Sequence, residues 1–412
     1  MTPALKRRAA IAALILALAA VVADTVYRAG PTQRTDLPVY LAGAERVMAG
    51  EDPLLATSSR DWPYVYPPTL AVLTAPLLSL PLRVSAGLWC LLSLGVMAGG
   101  VWVWSRQPEA ALDSDGAEVA PSSPSDREAP QAQTGRPERL RWEVWLPLLL
   151  VALPTLSALL RGQVGPILLG LGLLAWRDLH RGRDVRAGAL LALCAAIKLT
   201  PLLVIAGLVL ARRWRAVGGA ALGLVFCLVI LPLPFLGPGE TASSLAHFGD
   251  HMIVRPLRDP GAMNMTSNLS HVPNNQALTS LAARHLEGAP LWLAFGALAL
   301  LVVGALVRAG WRLDLTSYGL LWGVPLLVAP VAWHHHHVVA FFTLAALGAR
   351  RARGVLALFA VLALLHFAVK DLRPYGLLAI GTLAVLGASV WLCDRGAPQA
   401  APGPEPEPEP AT

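Results

Sequence analysis

Roughly a dozen apolar stretches follow one another between Ala9 and Cys393 with short polar breaks between them, and nothing else in the chain restricts its fold as much. Inside a bilayer the backbone has no water to bond with, so each stretch must close its hydrogen bonds internally as a helix. The pattern predicts an all-α integral membrane protein, a polytopic helical bundle of about 10–13 transmembrane segments. Composition agrees, with 55% of residues hydrophobic and 14% charged, where a soluble domain carries roughly a quarter charged.

Orientation follows from where the cations sit. The net charge of +7 lies largely in Arg residues of short connections, so it sets topology, and no nucleic-acid partner is expected. Lys6 to Arg8 precede the first apolar run, Ala9 to Ala23. A secretory signal opens in the same way, but an uncleaved first helix is the expectation. The clusters Arg177 to Arg186, Arg212 to Arg215, Arg308 to Arg312 and Arg350 to Arg353 are placed in the cytoplasm with both termini, in a multi-pass protein of the cell membrane. Loops 28–66 and 237–288 and the stretch Trp333 to His337 then lie outside. Segments 143–176 and 187–211 read as hairpins or broken helices, interrupted at Arg161-Gly162-Gln163 and Lys198-Leu199-Thr200-Pro201. Stretch 69–80 has about half the length of a span, so it is a re-entrant helix or a sign that one hairpin is miscounted.

The domain plan has N-terminal membrane segments over 1–105 and a membrane bundle over 142–393. Between them, 106–141 is rich in Ala, Pro, Ser, Asp and Glu and reads as a disordered linker, since it has little apolar surface to bury. The Pro-Glu alternation of 394–412 makes a solvated tail. Cys90, Cys194, Cys227 and Cys393 show no metal-ligand spacing and read as small core residues.

The unusual polar residues gather at the ends of the apolar stretches. Asp36 opens an amphipathic helical pattern ending at Gly50, which would lie along the interface; an Asp there also suits a helix N-cap. Tyr64-Val65-Tyr66-Pro67-Pro68 leads into the next apolar helix, where proline suits the first turn. Arg161 and Lys198 interrupt apolar runs. A cation at membrane depth costs about 2.5–3.5 kcal/mol, so it needs a cavity or a partner unless it snorkels to an interface. Loop 237–288 carries His247, Asp250, His251, Arg255, Arg258, His271, Asn274, Asn275 and Gln276, a mixture fit for phosphate and sugar hydroxyls. Its sequons at Asn264 and Asn268 have meaning only in a eukaryotic secretory pathway. Four consecutive histidines, His334 to His337, point about 100° apart along a helix and cannot converge on one ion. No metal and no cofactor is expected, and hydrogen bonding to a phosphate or an acceptor is the role given to the histidines.

Taken in order, several motifs resemble glycosyltransferase family 87: Asp36-x-x-Val39-Tyr40-x-Ala42 ending in Gly50-Glu51-Asp52-Pro53, then Tyr66-Pro67-Pro68, Gly162-Gln163, Lys198-x-x-Pro201 before Arg212-Arg213-Trp214-Arg215, Asn275-Gln276 and Trp333-His334-His335. The resemblance covers roughly residues 5 to 370. One departure is Arg161-Gly162-Gln163-Val164-Gly165, where the family often has Asn-Gly-Gln-x-Asn. What the resemblance implies is a C-type glycosyltransferase fold with its site on the extracytoplasmic face. The implied donor is a polyprenyl-phosphate sugar such as polyprenyl-phosphate mannose, and the acceptor a lipid or glycan. Asp36 would be the catalytic base, with Tyr40, Tyr66, Arg161, Gln163, Lys198, Asn275, Gln276, His334 and His335 binding substrate. The rival reading is a transporter or flippase of a lipid-linked or small polar substrate, which would place ionisable groups near the midplane and open alternately to both faces.

Overall fold

The computed structural model of the protein describes residues 3–30, 34–107, 142–255, 272, 274–285, 291–311, 313–329, 331–350 and 352–394. The expected linker and tail therefore fall almost wholly outside the described residues, as do both sequons, Arg258 and His271. Among the described residues the fold is all helical, and the only β-type pairings are isolated bridges, Thr57 with Pro63 and Asn275 with Trp333.

The first part of the chain gives α1 (Pro3–Ala29), α2 (Leu37–Met48), α3 (Pro68–Thr74) and α4 (Leu82–Ser105). Pro68 starts α3, where its fixed φ suits the first turn. A 3-10 turn over Ala75–Ser79 with no buried residue follows, so 69–80 is a short helical piece whose first part, Thr69 to Val72, is buried. The middle of the chain gives α5 (Trp142–Leu150), α6 (Ala152–Arg161), α7 (Gly165–His180), α8 (Asp184–Ile197), α9 (Leu202–Leu210) and α10 (Trp214–Val225). Both expected interruptions are there, at 162–164 and 198–201.

The last part gives α11 (Leu233–Gly249), α12 (Leu278–His285), α13 (Leu291–Trp311), α14 (Leu315–Gly323), α15 (Pro325–Val328), a 3-10 helix His334–Ala340, then α16 (Phe341–Ala349), α17 (Arg353–Ala368) and α18 (Leu377–Asp394). Here the expectation of an open loop over 237–288 is corrected. Gly237 takes φ +71, a conformation that glycine reaches without strain, and Pro238 restarts the helix, which runs to Gly249 and on through a π turn, Asp250–Val254.

Packing fixes the arrangement. α4 crosses α7 where Gly100 meets Gly170, and a Cβ on Gly100 would stand 2.5 Å from the Gly170 carbonyl oxygen. α8 lies along α10, α14 along α16 and α17 along α18. Polar groups sort to two ends of this bundle. At one end the buried Asp178 carboxylate takes Arg177 at 2.9 Å and Arg186 at 2.8 Å. Arg213 reaches Asp184 at 3.7 Å, and Arg308 reaches Asp314 at 2.7 Å, so three of the basic turns are tied down by acids at this end. Because α7 runs toward this end while α8 and α14 run away from it, Gln163, Lys198 and the 331–337 segment meet at the other.

Among the described residues one helix, Leu82–Ser105, is by itself long and apolar enough to cross a membrane. Trp214–Ile230 and Leu233–Val254 pass that test only as a pair, bent by 99°. Large apolar side chains nonetheless face outward on many helices, among them Leu91, Trp102, Leu149, Leu222, Leu300, Leu364 and Trp391, each more than half exposed.

Candidate active site

Gly162 makes the site possible. It ends α6 in the left-handed region, φ +69, which glycine reaches without strain. The turn is then gripped from two sides: Trp89 Nε1 donates to the Gly162 carbonyl at 2.7 Å, and the Asp36 backbone N–H donates to the Arg161 carbonyl at 2.7 Å. Gln163 is thereby brought under Asp36, and its side-chain amide donates to Asp36 Oδ2.

Asp36 does occupy the N-cap position of α2, yet its side chain makes no capping bond. The reason lies two residues on. Pro38 at the second helical position has no N–H to offer, so the carboxylate turns into the cavity. Burial pushes the Asp36 carboxyl up to about 6, against the opposing pull of Arg161, Arg60 and Lys198. An acid in that range is poised to take a proton near neutral pH.

Lys198 caps α8 in extended geometry, φ −152 and ψ 130, with Pro201 one step before α9. Its Nζ lies 2.9 Å from His336 Nε2. The histidines sit on the 3-10 helix His334–Ala340, in which residues three apart share a side. His334 and His337 are therefore turned into the core, His334 Nε2 to Ser157 Oγ at 2.9 Å and His337 Nδ1 toward the Trp333 carbonyl at 3.4 Å. His335 stacks on Trp333 at 6.5 Å between ring centres. His336 alone reaches the cavity.

A cavity of about 660 Å³ joins these groups. Asp36, Tyr66, Gln163, Lys198 and His336 line one part, beside Trp62 and Trp333, whose rings stand 6.2 Å apart. The rest is apolar: Leu199, Leu202, Leu203 and Ala206 of the α9 region, Phe248 and Met252, Val302 of α13, and Val324, Pro325 and Val328. Such a size lies in the ordinary range of ligand pockets, about 300–1,000 Å³.

Several residues read from the sequence as substrate contacts stand behind this wall. Tyr40 is fully buried, its ring edge-on to Tyr66 at 5.1 Å and near Trp89 at 5.9 Å. Arg161 acts on Asp36 through its charge and is not among the lining residues. Asn275 and Gln276 are buried too. Asn275 Oδ1 accepts from the N–H of Ala277 at 3.1 Å and of Ala332 at 3.0 Å, and the Gln276 N–H donates to the Ala332 carbonyl at 2.7 Å. The pair clasps the segment that leads into Trp333 and His336. His334 and His335 point elsewhere, as described above, because the 3-10 turn replaces the α-helical spacing assumed for them.

A second clasp was not foreseen. Buried Asp52 accepts from Ser244 Oγ at 2.9 Å and from the Leu54 N–H at 3.0 Å, while its other oxygen lies 2.6 Å from His247 Nδ1. It fastens the connection after α2 to α11, whose next turn supplies Phe248, His251 and Met252 to the cavity. Among the described residues no three His, Cys, Asp or Glu side chains converge as a metal site.

A family profile described as Glycosyltransferase family 87 matches residues 64–330. The chain belongs to glycosyltransferase family 87. The matched span includes Tyr66, Gln163 and Lys198, ends a few residues before His336 and begins well after Asp36. Family membership makes the protein a glycosyltransferase and sets the transporter reading aside. The chain is 27% identical over 348 residues to the polyprenol-phosphate-mannose-dependent alpha-(1-2)-phosphatidylinositol pentamannoside mannosyltransferase of Mycobacterium tuberculosis, covering 82% of this chain and 71% of that one. To the protein of the same description from Mycolicibacterium smegmatis it is 26% identical over 316 residues, 74% of this chain and 66% of that one. No solved structure matches the chain significantly.

Proposed function

We propose that this family 87 glycosyltransferase moves a hexose, namely mannose, from a polyprenyl-phosphate carrier to a hydroxyl of a lipid or glycan acceptor. The observation that carries this reading is a cavity that holds a carboxylate, an amide, a lysine and a histidine at one end and an apolar arm at the other. A donor that is sugar and phosphate at one end and hydrocarbon at the other has the same division. The dependence of the two mycobacterial relatives on polyprenol-phosphate-mannose supports the choice of mannose.

In this mechanism Asp36 takes the proton of the acceptor hydroxyl. The freed oxygen forms a bond to the anomeric carbon as the bond from that carbon to the phosphate oxygen breaks, with inversion. The electron pair leaves on the phosphate, whose charge meets Lys198 and His336. Gln163 holds the carboxylate in line, and Arg161 favours its ionised form. No second carboxylate has to protonate the leaving group, because a phosphate departs as an anion.

The cavity end is read as extracytoplasmic, with the tethered basic turns in the cytoplasm as positive-inside bias requires. The outward-facing Leu and Trp side chains of α1, α4, α5, α10, α13, α17 and α18 support a polytopic bundle of about 10–13 spans in the cell membrane, with a C-type glycosyltransferase fold. The test is transfer itself. Membranes carrying the protein, given polyprenyl-phosphate radiolabelled mannose, should move label into an acceptor fraction, and membranes carrying Asp36→Asn should not. Equal labelling by both would remove Asp36 as the base, and labelling no greater than in membranes lacking the protein would remove the proposal.

A further inference from the structure

The proton inventory around His336 is unbalanced in a way that bears on Lys198. His336 Nδ1 accepts a hydrogen bond from the Trp333 backbone N–H at 3.3 Å. A neutral imidazole carries one proton, so with Nδ1 accepting, that proton is on Nε2. Nε2 faces Lys198 Nζ at 2.9 Å. An N–H pointing at an ammonium would set two donors against each other, and an imidazolium would lose the Trp333 bond as well. The pattern is satisfied only when His336 Nε2–H donates to the lone pair of an uncharged amine.

We infer that Lys198 stands as a free amine in the empty cavity, held by a hydrogen bond from His336, and that an arriving phosphodiester draws a proton from solvent onto it. The inference rests on the donor reading above and adds a proton to it. On binding, one proton from water bonds to Nζ and no other bond changes. The ammonium and the His336 Nε2–H, now both donors, share the phosphate oxygens, which are acceptors only. The other charged or titratable groups around Lys198 are Asp36 at the start of α2, Tyr66 just before α3, His335 on the 3-10 helix, Arg161 behind Asp36, and His251 on the wall following α11. Asp36 is ionised above pH 7 and does not change its charge in the alkaline range.

The experiment uses a prenyl phosphodiester methyl ester, whose single charge does not titrate across the range, and purified protein from about pH 7.5 to pH 9.5. Its association constant should fall about tenfold per pH unit on the alkaline side. Calorimetry in buffers of different ionisation enthalpy should show about one proton taken up per ligand at the upper end. Lys198→Arg, charged throughout, should bind with a flat pH profile and no proton uptake. His336→Ala releases the amine to charge in the empty site and should move the fall to higher pH. Binding by the wild-type protein that is independent of pH, with no proton exchange, overturns the inference and leaves the donor reading standing. No binding at any pH overturns both. The wild-type measurement decides even where a variant fails to fold.

Discussion

Gln163 donates its side-chain amide to the carboxylate of Asp36 across 127 positions of chain. The bond joins the turn after α6 to the start of α2, so the proposed base is aimed by a residue from a different hairpin. Replacing Gln163 with Leu should therefore lower turnover through misplacement of Asp36, with kcat falling more than tenfold, on the scale of a lost orienting contact, and donor KM changing little. A Gln163→Leu enzyme with unaltered kcat would detach the amide from the mechanism.

Asp36→Asn tests the base directly. The native side chain makes no capping bond, so the helix start loses nothing, while proton abstraction is lost. Transfer should drop by about 10² or more in protein that is expressed and folded as wild type, measured by radiolabelled mannose transfer. A rate close to wild type would send the search to Asp52 and Asp61.

The pH profile should carry the same residue's signature. With its carboxyl pushed up to about 6, Asp36 gains its proton as pH falls through that value, and kcat/KM should fall about tenfold per pH unit below it. Stability runs the other way. A carboxyl whose pKa is raised by folding lends stability below about 3.8 and loses it as pH rises through about 6. Asp36→Asn, which never ionises, should thus melt at a higher temperature than wild type at pH 7.5, by differential scanning fluorimetry in detergent.

Orientation can be read with thiols. Asp61→Cys and Arg181→Cys are both exposed positions at opposite ends of the bundle, while Cys90, Cys194 and Cys227 are buried. With Cys393 replaced by Ser, an impermeant maleimide should label Asp61→Cys in intact cells and leave Arg181→Cys unlabelled until the cells are opened. The reverse pattern would invert the proposed topology.

The apolar arm should govern the lipid half of the donor. Ala206→Trp fills it with a large ring and should raise the KM for a long-chain donor at least tenfold, with kcat at saturation within about threefold. If KM is unaffected, the hydrocarbon lies elsewhere.

How much of this could be read in the sequence differs from residue to residue. The breaks at 162–164 and 198–201 were legible because Gly and Pro punctuate apolar runs and have few other uses there. Gln163 and Lys198 stood out because polar groups interrupting an apolar pattern need a polar neighbour, whereas Asp36 and Tyr66 took their roles from the resemblance to glycosyltransferase family 87. His336 was hidden in a run of four histidines, since only the change from α to 3-10 spacing decides which ring faces the cavity. Asn275 and Gln276 looked like ligands, yet the Asn275 side-chain oxygen accepts from the backbone of 277 and 332, and the Gln276 side-chain amide donates to the Arg373 carbonyl. The sequence marks where an amide sits and leaves unmarked the chain segment that comes to meet it. The helix over 238–254 was missed because Pro238 between two glycines reads as a breaker, although proline after a left-handed glycine is a sound first turn.

The polar end of the cavity draws on Asp36, Gln163, Lys198 and His336, which leave the ribosome at widely separate times. At about 5–20 residues per second, Asp36 waits on the order of fifteen seconds to a minute before His336 exists. On the proposed membrane topology, Lys198 would enter the bilayer during that interval without the imidazole that later holds it. Of the charges that end up beside it, only the earlier-made Asp36 is then present, so fragments ending before residue 331 should hold an unfinished cavity and be cleared faster than the full chain.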